Sequence, residues 1–219
     1  MNYAPPLAVQ HEYPISAVPH DTPRFPLGPT VVPGGYTIRL TVDGKSMTSL
    51  VAVKMDPRIR VPIEELEQQF QLATELSSML AVSSEAVLQV RSLRAQLKTL
   101  SSQATGSLKE AISQLDAKLQ QLADGPDKPP EGAVPPAALG NINGDIATLY
   151  GLVNGADAAP TLAIVTTTRK IAGNFNPLMK TWEAHKAKDI PAMNRQLSDA
   201  SLKTLDLKVD SSNNHESSE

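Results

Sequence analysis

The sequence contains no cysteine. Disulfides, thiolate nucleophiles and zinc–thiolate centres are thereby excluded, while the compartment stays open. Aromatic residues make up only 4% of the chain, so any core is built mostly of Leu, Val, Ile and Ala. There is no basic excess: the formal net charge is −3. This argues against a nucleic-acid or anionic-membrane surface, either of which wants clustered positive charge. No apolar run approaches the length needed to span a bilayer. The start, MNYAPPLAVQHEYP, lacks the basic-then-apolar order of a secretory signal. Histidine is scarce, and His11, His20, His185 and His215 are scattered without ligand spacing.

What is present begins with proline. Residues 1–33 hold eight of the eighteen prolines, which predicts an extended, irregular segment. Within it, EYPISAV could add a short edge strand, with Pro14 near its start. The stretch from Val31 to Pro57 then reads as a β-hairpin. Tyr36, Ile38, Leu40 and Val42 alternate with Thr37, Arg39 and Thr41, the period of a half-buried strand. Asp43-Gly44 suits a two-residue type I′ turn. The return strand places Met47, Val51, Val53 and Met55 on one face. Both strands own an apolar face, and an isolated hairpin is marginal in water.

From Pro62 the period changes to three and four. Leu66, Phe70, Ala73, Leu76, Leu80, Val87, Val90, Leu93, Leu97 and Leu100 predict one long helix over about 62–102, with Pro62 at its first position. Ser83 interrupts the apolar run, and Ser-Ser, which favours caps over helix interiors, leaves room for a break around Val82–Ser84 within that single helix. A second helix, 107–124, starts at a Ser107/Glu110 capping box. It should pack antiparallel on the first. The stretch GPDKPPEGAVPP is a linker. A third helix over 136–154 carries Gly140, Gly144 and Gly151, which would allow close backbone approach. A fourth over 158–187 is capped by Asp157 and kinked or interrupted at Pro177. A fifth over 190–202 is begun by Asp189 and Pro191. Residues 208–219 form a polar tail expected to be disordered. The apolar stripe of the first helix is wider than a coiled-coil seam, which favours an intramolecular bundle over a dimerisation helix. The fold class is therefore α+β: residues 1–57 as a proline-rich segment and a partial Ig-like antiparallel β unit, and residues 58–207 as an antiparallel four-to-five-helix bundle.

No motif carries a reaction. His20-Asp21 is the only adjacent His/Asp pair and reads as a turn with a surface histidine. His185, one turn from Trp182, reads as a helix-surface or packing histidine, and Trp182, at a core-periodic position, as packing rather than a face for stacking on a sugar. Asp43-Gly44-Lys45 is explained by the hairpin turn rather than by phosphate contact. Arg91, Arg94 and Lys98 suit the end of a helix dipole better than an acidic partner. The catalytic, cofactor and metal assignments are accordingly all empty.

The order of segments resembles a known arrangement. VPGGYTIRLTVDGK is similar to the hairpin of bacterial Ig-like modules of the flagellar hook-cap type. The wider context runs from EYPISAVPHDTPRFPLGP through VKMDPRIRVPIEELEQQFQLA to QVRSLRAQLK. It resembles the C-terminal region of large bacterial proteins that carry an N-terminal sortilin-type or BNR-repeat β-propeller and are labelled glycosyl hydrolase or exo-sialidase-like. NGDIATLYGLVNGADAAPT and WEAHKAKDIPAMNRQL fit the same region, so the resemblance covers nearly all of residues 3–207. Two departures are Val61, where a capping Ser or Thr is expected, and Pro177 within a helix. The resemblance implies a non-catalytic accessory or interaction module of an exported propeller protein. Its partner would be the upstream propeller or another protein, with a glycan as a further candidate, and without nucleic acid or a membrane span. It also implies that further strands lie upstream, so that the chain is expected to be a fragment whose hairpin has lost part of its sheet. Burial of each Val, Ile or Leu is worth roughly 1.5–3 kcal/mol, against a domain margin of about 5–15 kcal/mol. Two rival readings are a glycosidase-associated enzyme domain, which needs two carboxylates about 5–10 Å apart across a cleft, and a self-associating helical bundle.

Overall fold

The structure is a computed structural model that describes residues 1–9, 27–125 and 137–208. The fold is α+β, with a two-stranded antiparallel sheet followed by a helical bundle. Strands β1 (Gly34–Val42) and β2 (Lys45–Val53) pair in register from Gly34↔Val53 to Val42↔Lys45. Asp43 and Gly44 both take positive φ, 48° and 76°, as a type I′ turn requires. The helices are α1 (Ile63–Ser101), α2 (Gly106–Asp124), α3 (Leu139–Asn154), α4 (Leu162–Ala184) and α5 (Ile190–Asp199). The expected edge strand EYPISAV and the polar residues 209–219 lie outside the described residues.

The chain divides into two compact units. One holds residues 1–81 and 146–168, and the other residues 82–145 and 169–219. In the first, Leu66, Ala73, Leu76 and Leu80 from α1 are buried, as are Ile146, Leu149, Tyr150 and Val153 from α3. Gln69 is also buried there and donates to the Val153 carbonyl at 2.9 Å. In the second unit the core comprises Val90, Leu93 and Leu97 of α1, Ile112, Leu115 and Leu119 of α2, Trp182 of α4 and Leu197 of α5.

Several helix ends differ from the sequence expectation. α1 does not break at Val82–Ser84. Ser83 and Ser84 are fully buried, and the Asn143 amide of α3 donates to both hydroxyls at 2.8 Å. Ser side chains favour caps because they seek hydrogen bonds, and here a neighbouring helix supplies the partner without the backbone leaving the helix. Pro62 precedes α1, its carbonyl accepting from Glu65 and Leu66, rather than standing at the first helical position. α2 starts one residue before Ser107, with Thr105 at the N-cap in extended conformation, so Ser107 cannot head a capping box. α4 is capped by Thr161, whose hydroxyl accepts from the Ile164 N–H at 3.3 Å, not by Asp157. Pro177 lies within α4 without interrupting it.

The expected boundary between the last two helices is absent. α4 passes into α5 through a π-helical turn, His185–Asp189, in which the Ile190 N–H donates to the His185 carbonyl. Pro191 has no N–H to give Ala187, and its ring would crowd that carbonyl; widening the turn by one residue relieves both problems. Asp189 is helical and caps nothing. α5 ends at Asp199, not 202, in a Schellman arrangement. Ser201 takes positive φ (57°), the Leu202 N–H donates to the Leu197 carbonyl, and the Ser201 N–H donates to that of Ser198.

Of the α3 glycines, Gly140 does sit in a tight place. A Cβ there would lie 3.2 Å from the Ala123 carbonyl oxygen, whereas one at Gly151 would meet nothing.

Candidate interaction surface

The hairpin follows directly from its residue pattern, and so does its anomaly. Opposed pairs share a face, so Tyr36, Ile38, Leu40 and Val42 stand beside Val51, Met47 and Val53. In a folded domain such a face is normally covered. Here Ile38 is 43% exposed, Leu40 and Val42 55%, and Met47 67%. On the other face Leu50 is 84% exposed. The exposure increases toward the Asp43-Gly44 tip, while Tyr36, Val51 and Val53 near the base are half-buried. Both outer edges of the ribbon are unpaired among the described residues, because the sheet has two strands only. Exposed apolar side chains and open edges are features that association surfaces share, which makes this ribbon the candidate.

The base of this ribbon is firmly held. The Tyr36 hydroxyl donates to the Val32 carbonyl at 2.6 Å. Upstream, residues 27–31 are tied to α3. Tyr150 donates to the Leu27 carbonyl at 2.5 Å, Asn154 donates to that of Gly28 at 3.2 Å, and the Thr30 N–H donates to Asn154 at 3.0 Å. The N-terminus closes on the same strip: the Tyr3 N–H donates to the Pro29 carbonyl and the Val31 N–H to that of Met1. Gly28 is required here, since a Cβ would collide with the Tyr3 backbone. Burial pushes the Tyr150 phenol up to about 12, with the Ser77 hydroxyl opposing in part. The phenol therefore stays a donor throughout the physiological range.

Residues singled out from the sequence for possible chemistry fall into structural roles or outside the described chain. His11, His20, Asp21 and His215 lie outside it. Lys45 follows the turn and starts β2. Arg94 is engaged with α2, donating to Asp116 at 3.0 Å and to Asp124 at 2.9 Å. With Leu97, Lys98, Ile112, Ser113 and Asp116 it lines an open cavity of about 360 Å³. Arg94, half-buried, already pairs with the two α2 carboxylates. Trp182 is buried, with Lys186 5.7 Å from its ring centroid.

One polar cluster escaped the sequence reading. In the π turn, His185 Nδ1 lies 2.7 Å from Asp189 Oδ2, and Lys118 Nζ of α2 donates to Asp189 Oδ1 at 2.9 Å. The His185 contact, followed by that of Lys118, holds the Asp189 carboxyl below the usual carboxylate range. The i,i+4 spacing of His185 and Asp189 was the available signal. The arrangement pairs an acid with its bases and ties α2 to the π turn. Among the described residues no group of three His, Asp or Glu could hold a metal ion. Among the same residues no helix is long and apolar enough to cross a membrane. Comparison of the chain with known protein families, with curated proteins and with solved structures finds no match.

Proposed function

We propose that the chain is a non-catalytic accessory and interaction module whose hairpin is the docking element. The observation that carries this reading is the open apolar face of β1 and β2, with Ile38, Leu40, Val42 and Met47 all in solvent. Covering them would bring roughly 25 cal/mol for each Å² of apolar surface removed from water. The resemblance of VPGGYTIRLTVDGK and the following helices to the region after the propeller in exported bacterial proteins supports the identity of the partner: a sortilin-type or BNR-repeat β-propeller. A β partner fits in two ways, by laying a sheet on the face or by adding a strand to an edge. Catalysis, in this reading, belongs to the partner.

The test is calorimetric titration of the full chain with a purified bacterial β-propeller from a protein that also carries this hairpin-and-helices region. The wild-type chain is expected to bind saturably, and Leu40→Lys/Met47→Lys to lose binding while keeping its circular dichroism. No binding by either form refutes the reading. Self-association through the same face is the second reading, favoured by the same exposed side chains. A concentration-dependent dimer in light scattering, abolished by Leu40→Lys/Met47→Lys, would select it. Turnover of model glycosides, removed by mutating one Asp or Glu, would select the enzyme instead.

A further inference from the structure

After the Schellman turn the chain does not wander off. Residues 202–208 continue without helix or strand, and two side-chain amides grip consecutive residues of their backbone. Asn194 of α5 donates to the Leu205 carbonyl at 3.1 Å and accepts from the Leu205 N–H at 2.7 Å. Gln96 of α1 donates to the Asp206 carbonyl at 2.8 Å and accepts from the Asp206 N–H at 2.9 Å. Ser92 of α1 lies 3.2 Å from the Gln96 amide nitrogen and steadies it. Leu205 itself is buried, 6% exposed, while Thr204 and Asp206 on either side face solvent.

This is the division of labour found in grooves that bind extended peptides. Donor–acceptor pairs read the backbone and fix its register, and a pocket for an alternate side chain selects the sequence. The tether is also the strained point: Ser201 holds a left-handed conformation that non-glycine residues rarely adopt. Relaxation of Ser201 to an extended conformation would carry residues 202–208 away from their own groove.

We propose that the surface bearing Gln96 and Asn194 is a docking groove for an extended peptide anchored by one leucine, and that its partner is the Leu202–Lys208 segment of a second copy of this chain, exchanged for the resident one. The occupant is fixed by what is seated there, since the segment that fits in cis fits equally in trans. In the resting chain the tether keeps the groove filled at high effective concentration, so a competitor in trans enters only when the resident segment is out.

The experiment uses full chains. Leu205→Asp leaves the groove intact but removes the anchor that fills it. Isotope-labelled Leu205→Asp chain is titrated with the unlabelled peptide of residues 201–208, and separately with unlabelled Asn194→Ala chain, whose segment is freed but keeps Leu205. Saturable shifts are expected at the side-chain amide signals of Gln96 and Asn194 in both titrations. They should be at least tenfold weaker with labelled wild-type chain, and absent with peptide carrying Leu205→Asp. No shift in a Leu205→Asp chain that retains its helical circular dichroism overturns the proposal, as does binding of the peptide without binding of the second chain. Hydrogen exchange on the wild-type protein gives a reading independent of any variant. The Leu205 and Asp206 amides should exchange through an opening that leaves those of Leu97 and Leu197 protected. Exchange of all four in one global event would overturn the proposal.

Discussion

Asn143 is the residue on which the continuity of α1 is expected to depend. Its side chain is fully buried, its amide donates to Ser83 and Ser84 at 2.8 Å each, and its Oδ1 has no partner among the described residues. Asn143→Ala removes two hydrogen bonds, each worth about 1 kcal/mol net, and leaves a void where the amide stood. It also removes an unsatisfied carbonyl oxygen, which offsets part of the loss. The expected net destabilisation is about 1–3 kcal/mol. Asn143→Asp keeps the shape but places a carboxylate in a buried site, which costs several kcal/mol more unless the acid is protonated. The unfolded chain would release that proton near the ordinary aspartate value of about 3.9, while the folded chain would retain it to higher pH. Stability of this variant should therefore fall as pH rises above that point, with the ordering wild type, Ala, Asp at neutral pH. Urea unfolding followed by circular dichroism at neutral and acid pH measures all three. An Asn143→Asp chain as stable as wild type at neutral pH would refute the reasoning, as would an Asn143→Ala chain within 0.5 kcal/mol of wild type by the usual ~0.5 kcal/mol surface criterion.

Three further outcomes are expected. Ser201→Gly relieves the left-handed backbone at the end of α5 and should stabilise the chain by about 0.5–1 kcal/mol in urea unfolding, once glycine's greater unfolded-state freedom is subtracted. Tyr150 has a phenol raised to about 12 in the fold and near 10 when unfolded, so the unfolded state ionises first. Stability should be complete below about pH 10 and decline as pH rises toward about 12. Tyr150→Phe should abolish that alkaline decline at a cost of about 0.5–1.5 kcal/mol at neutral pH. Gly28→Ala should force the N-terminus off residues 28–31, at a cost of about 1–3 kcal/mol, and speed hydrogen exchange at the Tyr3 and Val31 amides.

Much of the architecture was legible because periodicity reports burial. The hairpin, its Asp43-Gly44 turn and the long α1 follow from spacing alone; α1 falls within a residue of the expectation, and both strands lie inside the expected Val31–Pro57 stretch, with β2 ending at Val53, short of Met55. Single-residue signals were weaker guides. Pro191 reads as a helix start, yet here it sets a π turn inside a continuous helical run. Asp157 and Ser107 are good caps by type, but Thr161 and Thr105 occupy those positions, because the cap goes to the residue where the backbone leaves the extended region. Ser83-Ser84 reads as a break only while Asn143, 60 positions on, is unknown as a partner. The Gln96 and Asn194 contacts with Leu205 and Asp206 leave no trace in the sequence, since an amide that binds backbone imposes no pattern on what it binds. The open face of the hairpin was legible in part: the alternation shows that a face needs cover, and only the fold shows how far Met47 and Leu40 stand in solvent.

Methionine oxidation at Met47 tests the docking assignment most directly, because Met47 is 67% exposed on the open face, opposite Leu40. Peptide-resolved mass spectrometry would follow sulfoxide formation at Met47 in the full chain, alone and with the β-propeller of the resembled class. Free oxidation in the isolated chain and strong protection in the mixture are predicted. Protection in the dilute isolated chain, or equal oxidation with and without the propeller, would contradict the account.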